Sequence, residues 1–120
     1  MNLSFNPQFV KSILSGEKIH TIRTDKRRRW GAGKEIHFCT GMRTKNYKRF
    51  KLGKCHGIQT IKIDYNRTIS PGVFIDGQIK DVQVTWKLAI NDGFASREEF
   101  FQWFNDDFEG VIIHWTAFRY

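Results

Sequence analysis

The sequence has few of the residues that mark several classes of protein. Its only two cysteines, Cys39 and Cys55, are too few for the disulfide framework of a small secreted scaffold. No apolar run approaches the roughly 20 residues of a membrane-spanning helix. Residues 1–7 lack the basic and apolar regions of a secretory signal. Glycine-rich phosphate loops and the Gly-x-Ser-x-Gly motif are also missing. We therefore expect a cytoplasmic protein with no membrane partner.

The chain contains enough apolar material for one core. It has 120 residues, of which 40% are hydrophobic and 15% aromatic. This length suits a single domain over residues 1–120, because two ordinary cores need more chain. No internal repeat, low-complexity tract or linker divides the sequence.

The positive charge of the chain is concentrated in one segment. The net charge is +8, and residues 23–54 hold twelve Lys or Arg against two acids, Asp25 and Glu35. Bases interleaved with aromatic side chains are typical of proteins that bind a nucleic-acid strand. The alternative is a solvated, mobile loop. The side chains that we predict to contact nucleic acid or substrate are His20, Arg23, Arg27, Arg28, Arg29, Trp30, Arg43, Lys45, Lys48, Arg49 and Lys51.

Capping and turn residues locate the short helices. Asn6 and Pro7 predict a helix over residues 7–14, which Gly16 ends. Ser96, with Glu99 three residues later, predicts the start of a helix whose aromatic face reaches Phe108 and which Gly110 ends.

Alternating apolar residues locate the strands. The Asp76-Gly77 pair predicts a two-residue hairpin turn. The pattern between residues 82 and 90 is ambiguous between strand and helix, and residues 41–53 are predicted to form a long basic connection. Strands are predicted over residues 21–23, 35–40, 55–65, 73–75, 78–79 and 111–120. This order is typical of an α+β fold with a mainly antiparallel sheet.

Metal and thiol chemistry find weak support in the sequence. Residues His37, Cys39, Cys55 and His56 could be drawn as zinc ligands, but neighbours in a strand point to opposite faces and no metal-binding spacing is present. Cys39 lies within a predicted strand, with nothing but the general positive charge to lower its pKa. We expect no metal and no cofactor.

Two polar stretches, residues 16–23 and 89–94, each read as surface turns when taken alone. Together they resemble the ASCH domain family, which belongs to the PUA-like superfamily of small β-barrels. The resemblance begins with Gly-x-Lys-x-x-Thr-Ile-Arg after an N-terminal helix, and it covers nearly the whole chain. The matching residues are Gly16, Lys18, Thr21, Ile22 and Arg23, then Trp30, Gly33, Lys34 and Ile36, then Asp92-Gly93-Phe94, Phe100–Phe104 and Ile113-His114-Trp115.

The resemblance implies a small, partly open mixed or antiparallel β-barrel with two or three short flanking helices. It implies a cleft between the residue 16–23 turn and the Asp-Gly-Phe turn, and RNA or a nucleotide as the ligand. One branch of the family is similar to an amidohydrolase that deacetylates N4-acetylcytidine with a Lys, a Thr and a Glu. By motif these positions are Lys18, Thr21 and Asp92, and the Asp is one methylene shorter than the Glu of that branch.

Three arrangements of these residues remain open. Thr21 could be a nucleophile activated by Lys18, or Asp92 could activate a water while Lys18 and Thr21 polarise the carbonyl. Lys18 and Asp92 could instead form an ion pair that lines a binding cleft, and we expect Lys18→Ala to leave the fold intact. The functions predicted are therefore RNA or nucleotide binding, an amidohydrolase activity, or a ribonuclease activity of Lys18, His20 and Asp92.

Overall fold

The computed structural model describes residues 1–66 and 70–120, which form an α+β fold with eight strands and three short helices. A single 3-10 turn, Pro7–Phe9, leads into the first helix. The strands are β1 (Asn2–Ser4), β2 (His20–Arg23), β3 (Glu35–Thr40), β4 (Lys48–Lys54), β5 (Gly57–Asp64), β6 (Gly72–Ile75), β7 (Gln78–Lys80) and β8 (Phe108–His114). The helices are α1 (Val10–Ser15), α2 (Val82–Asn91) and α3 (Arg97–Trp103).

The strands form two sheets. One has the order β1-β3-β4 and the other β2-β8-β5-β6-β7. The β1–β3 pair is parallel and the other ladders are antiparallel. No ladder among the described residues joins the two sheets into a closed barrel. Their apolar faces share one core, in which Trp115 contacts Phe5 and Phe38 edge to face.

Capping and turn residues are sufficient to predict several of the helices and turns. Asn6 caps the first turn through Gln8 N, and Gly16 ends α1 with a φ of 85°. Asp76 and Gly77 both have positive φ, as the predicted two-residue hairpin requires. The ambiguous stretch is helical, since Asp81 caps it by accepting a hydrogen bond from Val84 N at 2.9 Å.

Three sequence predictions are wrong because tertiary contacts override local pattern. The basic connection over residues 41–53 contains strand β4, which pairs with β3 and packs Phe50 against the core. The last helix ends at Trp103, and Phe108 begins β8 instead. That strand ends at His114, while Tyr120 folds back and its main chain bonds to Gln59. The sequence does not predict strand β1, because three residues are too few to show a periodic pattern.

None of the helices in the described part of the chain has the length and apolar character that a membrane span requires.

Candidate functional site

The turn after α1 carries Lys18 to the end of α2. Lys18 N donates to Ser12 O at 3.0 Å, which closes the left-handed turn at Gly16. The next amide, Ile19 N, donates to Asn91 O at 2.9 Å. This second bond joins the start of β2 to the last turn of α2, although the two lie more than 70 residues apart in the chain.

The end of α2 is shaped to receive that lysine. Phe94 N donates to Ala89 O and Gly93 N to Ile90 O, both at 3.0 Å, which is the Schellman pattern of helix ends. Gly93 has a φ of 96°. A Cβ there would lie 3.0 Å from the Lys18 Cδ. Glycine therefore serves both the backbone turn and the close passage of the lysine side chain.

Lys18 and Asp92 form a buried ion pair. The Lys18 Nζ donates to the Asp92 main-chain oxygen at 2.5 Å and to its Oδ1 at 3.1 Å. Lys18 is only 2% exposed. Burial lowers the pKa of Lys18, and the Asp92 carboxylate opposes that shift. The Nζ also lies 4.9 Å from the centre of the Phe9 ring. The structure thus brings together two residues that the ASCH resemblance names as catalytic.

Behind this pair lies His20, which we predicted to bind substrate. Its side chain is fully buried, and its Nδ1 is 3.1 Å from the Asp92 Oδ1. Its Nε2 is 2.6 Å from the Tyr120 hydroxyl, to which Asn91 Nδ2 donates at 3.1 Å. Burial lowers the pKa of His20 and favours the neutral imidazole. His20 is therefore not among the residues that line the cleft.

The ion pair opens into a cleft of about 320 Å³. Its polar lining includes Thr21 and Arg23 of β2. Thr21 Oγ1 accepts a hydrogen bond from Arg23 Nε at 3.3 Å, and Arg23 Nη2 donates to Ser4 O at 2.5 Å. The aromatic residues of the lining are Phe5, Phe9, Phe94, Trp103 and Phe104. The predicted residues Lys18, Thr21, Arg23 and Asp92 thus all border one space.

Some polar atoms of the cleft have no partner in the described part of the chain. The Asp92 Oδ2 accepts no hydrogen bond there, because both contacts to the carboxylate go to Oδ1. The Arg23 Nη1 donates none to those residues, since the other two guanidinium nitrogens make the two bonds given above. One N–H of Lys18 also remains after its two bonds to Asp92. A ligand in the cleft would meet one acceptor and several donors.

Trp103 is a cleft residue that the sequence analysis missed. Its spacing matches that of Phe100 and Phe104, which predicts the core-facing side of a helix. In the structure Trp103 is 50% exposed. Its ring packs edge to face against the Phe9 ring, with 5.5 Å between the two centroids. A large aromatic ring that is held by a neighbour and open to solvent is a stacking surface.

Of the basic residues predicted to contact nucleic acid, only Arg23 lines the cleft, and the others lie on several segments. Phe50 of β4 lies 6.4 Å from the ring of Phe5, which lines the cleft. Of the bases on β4, Lys51 lies with its Nζ 5.5 Å from the centre of the Phe38 ring, which in turn stacks on Phe5 at 5.8 Å. The exposed residues Arg27, Arg28 and Arg29 follow β2, Arg43 and Lys45 lie between β3 and β4, Lys48 and Arg49 are exposed on β4, and Trp30 and Lys51 are half-buried.

The structure does not assemble a thiol or zinc site from the cysteines. Both Cys39 and Cys55 are buried, and burial raises the pKa of each thiol. His37 bonds instead to Glu35 at 2.6 Å. Within residues 1–66 and 70–120, no group of three or more His, Cys, Asp or Glu residues is placed to hold a metal ion.

A larger groove of about 580 Å³ lies along the five-stranded sheet. The charged side chains that border it, such as Lys62 and Glu109, are exposed or half-exposed. We place the candidate site in the smaller cleft, because buried charged groups are costly and are concentrated at functional sites.

Comparisons of the chain with models of protein families, with curated proteins and with solved structures find no match in any of the three.

Proposed function

We propose that the protein is an RNA- or nucleotide-binding member of the ASCH family, with a partly open PUA-like barrel, that holds one base in the cleft beside Lys18 and Asp92. The observation that carries the proposal is the buried ion pair at the floor of an aromatic cleft. The cleft lies where the sheets meet, since Ser4 belongs to β1 and Thr21 to β2. This placement supports the cleft that the resemblance implies.

The size and polarity of the cleft suit a nucleobase. Its volume of about 320 Å³ is at the small end of ligand pockets, which run from about 300 to 1,000 Å³. The edge of a nucleobase carries both N–H donors and C=O or ring-nitrogen acceptors. Asp92 Oδ2 would accept from such an edge, and Lys18 and Arg23 would donate to it. Trp103 offers its open ring face for stacking.

The charge of β4 favours a strand as the larger ligand. Lys48, Arg49 and Lys51 lie on this strand, and Phe50 between them packs toward the wall of the cleft. Single-stranded RNA exposes its bases, so that one base can enter a cleft while the phosphates follow a basic surface. Duplex DNA keeps its bases stacked, which makes it the weaker candidate.

Loss of the Trp103 ring is expected to weaken binding of single-stranded RNA. Base stacking on an aromatic side chain contributes about 1–3 kcal/mol, so Trp103→Ala should raise the Kd by about 5- to 150-fold. The matched control is Trp86→Ala, because Trp86 is similarly exposed, at 55%, but lies on α2 outside the cleft lining. Fluorescence anisotropy with a labelled single-stranded RNA measures both. Equal losses in the two variants would remove the cleft from the binding site.

Neutralising the basic residues of β4 and the turn before it should lower the salt dependence of binding. In the variant with Lys45, Lys48, Arg49 and Lys51 changed to Gln, we expect weaker binding for all sequences. The slope of log Kd against log salt should fall by up to about 3, since each phosphate contact on a single strand contributes about 0.7. The charge-matched control changes Lys11, Lys62, Lys80 and Lys87, which lie outside the basic segment. An unchanged slope in the first variant would exclude this surface.

A second candidate function is amide hydrolysis of an N4-acetylcytidine-type nucleoside. The observation that favours it is the carboxylate of Asp92, whose Oδ1 is held by Lys18 and His20 while Oδ2 remains for a water. In this reaction Oδ2 takes a proton from water, and the water oxygen attacks the acetyl carbon. The C–N bond then breaks, and the proton passes from Asp92 to the leaving N4, giving cytidine and acetic acid, which ionises to acetate.

The contacts favour water over threonine as the nucleophile. The two hydrogen bonds of the Lys18 Nζ go to Asp92, and none joins it to Thr21. Thr21 Oγ1 accepts from Arg23, which leaves its own proton without a base in the described residues. Thr21 would then donate to the acetyl oxygen. The buried position of His20 gives no support to a ribonuclease that uses this histidine as an acid or base on the strand.

A further inference from the structure

A chain of hydrogen bonds runs from the floor of the cleft to the C-terminal tyrosine. It passes from Asp92 through His20 to Tyr120, at 3.1 Å and 2.6 Å. Asn91 Nδ2 is only a donor, so at the Tyr120 hydroxyl it uses an oxygen lone pair. The hydroxyl proton is then directed to His20 Nε2. His20 consequently carries its own proton on Nδ1 and donates it to the Asp92 carboxylate.

The position of Tyr120 is itself fixed by the sheet. Its main-chain N donates to Gln59 Oε1 at 3.0 Å, and its main-chain oxygen accepts from Gln59 Nε2 at 3.1 Å. The same amide donates to Asp76 Oδ2 at 2.8 Å, and His114 Nε2 donates to Gln59 Oε1 at 3.0 Å. Burial raises the pKa of the Tyr120 hydroxyl, so the group keeps the proton that it gives to His20. The tail is therefore held by β5 and by the β6–β7 turn.

We infer that His20 and Tyr120 are positioning residues, which hold the Asp92 carboxylate with Oδ1 turned into the protein and Oδ2 left for the ligand. The inference rests on the proposed function, because it assigns Asp92 to the ligand. Without the His20 bond, the carboxylate is free to turn about its last torsion. Both of its oxygens could then approach the Lys18 ammonium, and the acceptor would be lost to the cleft.

The surroundings of His20 make this assignment specific. The titratable groups that face it are Asp92, Lys18, His114 and Tyr120. His114 lies edge to face at 5.4 Å between ring centres, and burial together with the neighbouring His20 lowers its pKa to about 3. A neutral His114 has no proton on Nδ1, because its Nε2 donates to Gln59. Asp92 and Tyr120 are thus the hydrogen-bonding partners of the His20 ring.

The inference can be tested in the free protein by measuring which ring nitrogen of His20 carries the proton. Two-bond ¹H–¹⁵N correlations on histidine-labelled protein at pH 7 should show His20 protonated on Nδ1 and unprotonated on Nε2. A His20→Phe spectrum assigns the signal. A ring that is protonated on Nε2 or on both nitrogens would overturn the inference, whether or not the protein binds RNA.

The Tyr120→Phe variant then tests the effect on the ligand. Removing one hydrogen bond should raise the Kd for single-stranded RNA by about 3- to 10-fold. It should also move the ¹⁵N resonance of His20 Nε2, which loses its donor, while Nδ1 keeps the proton that it donates to Asp92. The matched control is Tyr65→Phe, which removes a hydroxyl that bonds to main-chain oxygens of α3 and of Phe104. An unchanged affinity and an unchanged Nε2 resonance in Tyr120→Phe would overturn the inference. If the wild-type protein binds neither RNA nor nucleosides, the proposed function fails, and the histidine spectrum of the free protein still distinguishes that failure from failure of the inference.

Discussion

Replacing Lys18 with methionine is expected to lower the free energy of unfolding by about 3–5 kcal/mol. Removing one member of a buried ion pair leaves the other charge without compensation in a medium that solvates it poorly. Asp92 would keep its bond from His20 but would lose both hydrogen bonds from the Lys18 Nζ. Because Lys18 is buried, we expect a large loss of stability here, whereas the sequence alone predicts that Lys18→Ala leaves the fold intact. Urea unfolding followed by circular dichroism measures the change.

The double variant Lys18→Met, Asp92→Asn separates the ion pair from the packing of the lysine chain. Neutral partners in a buried site are often as stable as the ion pair they replace. We expect the double variant to recover most of the lost stability, because the amide oxygen of the introduced asparagine can still accept from His20. The control is Lys11→Met, whose exposed side chain on α1 should change stability by less than about 0.5 kcal/mol. A loss for Lys18→Met as small as that of the control would mean that the pair is not a buried ion pair in solution.

If the protein hydrolyses N4-acetylcytidine, Asp92→Asn should lower kcat by about 10²- to 10⁴-fold. This is the range that a positioned general base contributes, and the amide of asparagine cannot take a proton from water. Thr21→Val should cost less, since threonine would donate a hydrogen bond rather than attack. A chromatographic assay for released cytidine measures both. A larger loss for Thr21→Val than for Asp92→Asn would favour threonine as the nucleophile.

The double variant of the unfolding experiment is also the control for the hydrolysis assay. The double variant Lys18→Met, Asp92→Asn is expected to fold and to be inactive, so its failure to turn over substrate would not reflect unfolding. Absence of turnover in the wild-type protein would exclude this hydrolase activity. RNA binding would then remain as the proposed function, to be decided by the Trp103 and β4 variants.

Sequence reasoning located the residues of the site better than their surroundings. The ASCH resemblance named Lys18, Thr21 and Asp92, and all three line one cleft. The sequence predicts His20 as a binding residue, but the structure buries it against Asp92 at the end of α2. Alternation along β2 does not show which face of the strand is covered by that helix. Trp103 is hidden by its helical spacing, and nothing near Tyr120 in the sequence marks it as a partner of a residue that lies 100 positions earlier.

What the sequence determined by itself is local. Caps at Asn6 and Ser96 and the turn at Asp76-Gly77 act through bonds within a few residues, so they can be read without the fold. The segment of bases was also visible, but its pairing as β4 depended on β3. Only the tertiary structure decided that Lys18 is buried against Asp92, 74 residues away. A lysine in a turn is ordinarily solvated, and it becomes a buried charge here because the end of α2 supplies a carboxylate, a carbonyl and a glycine without a side chain in its path.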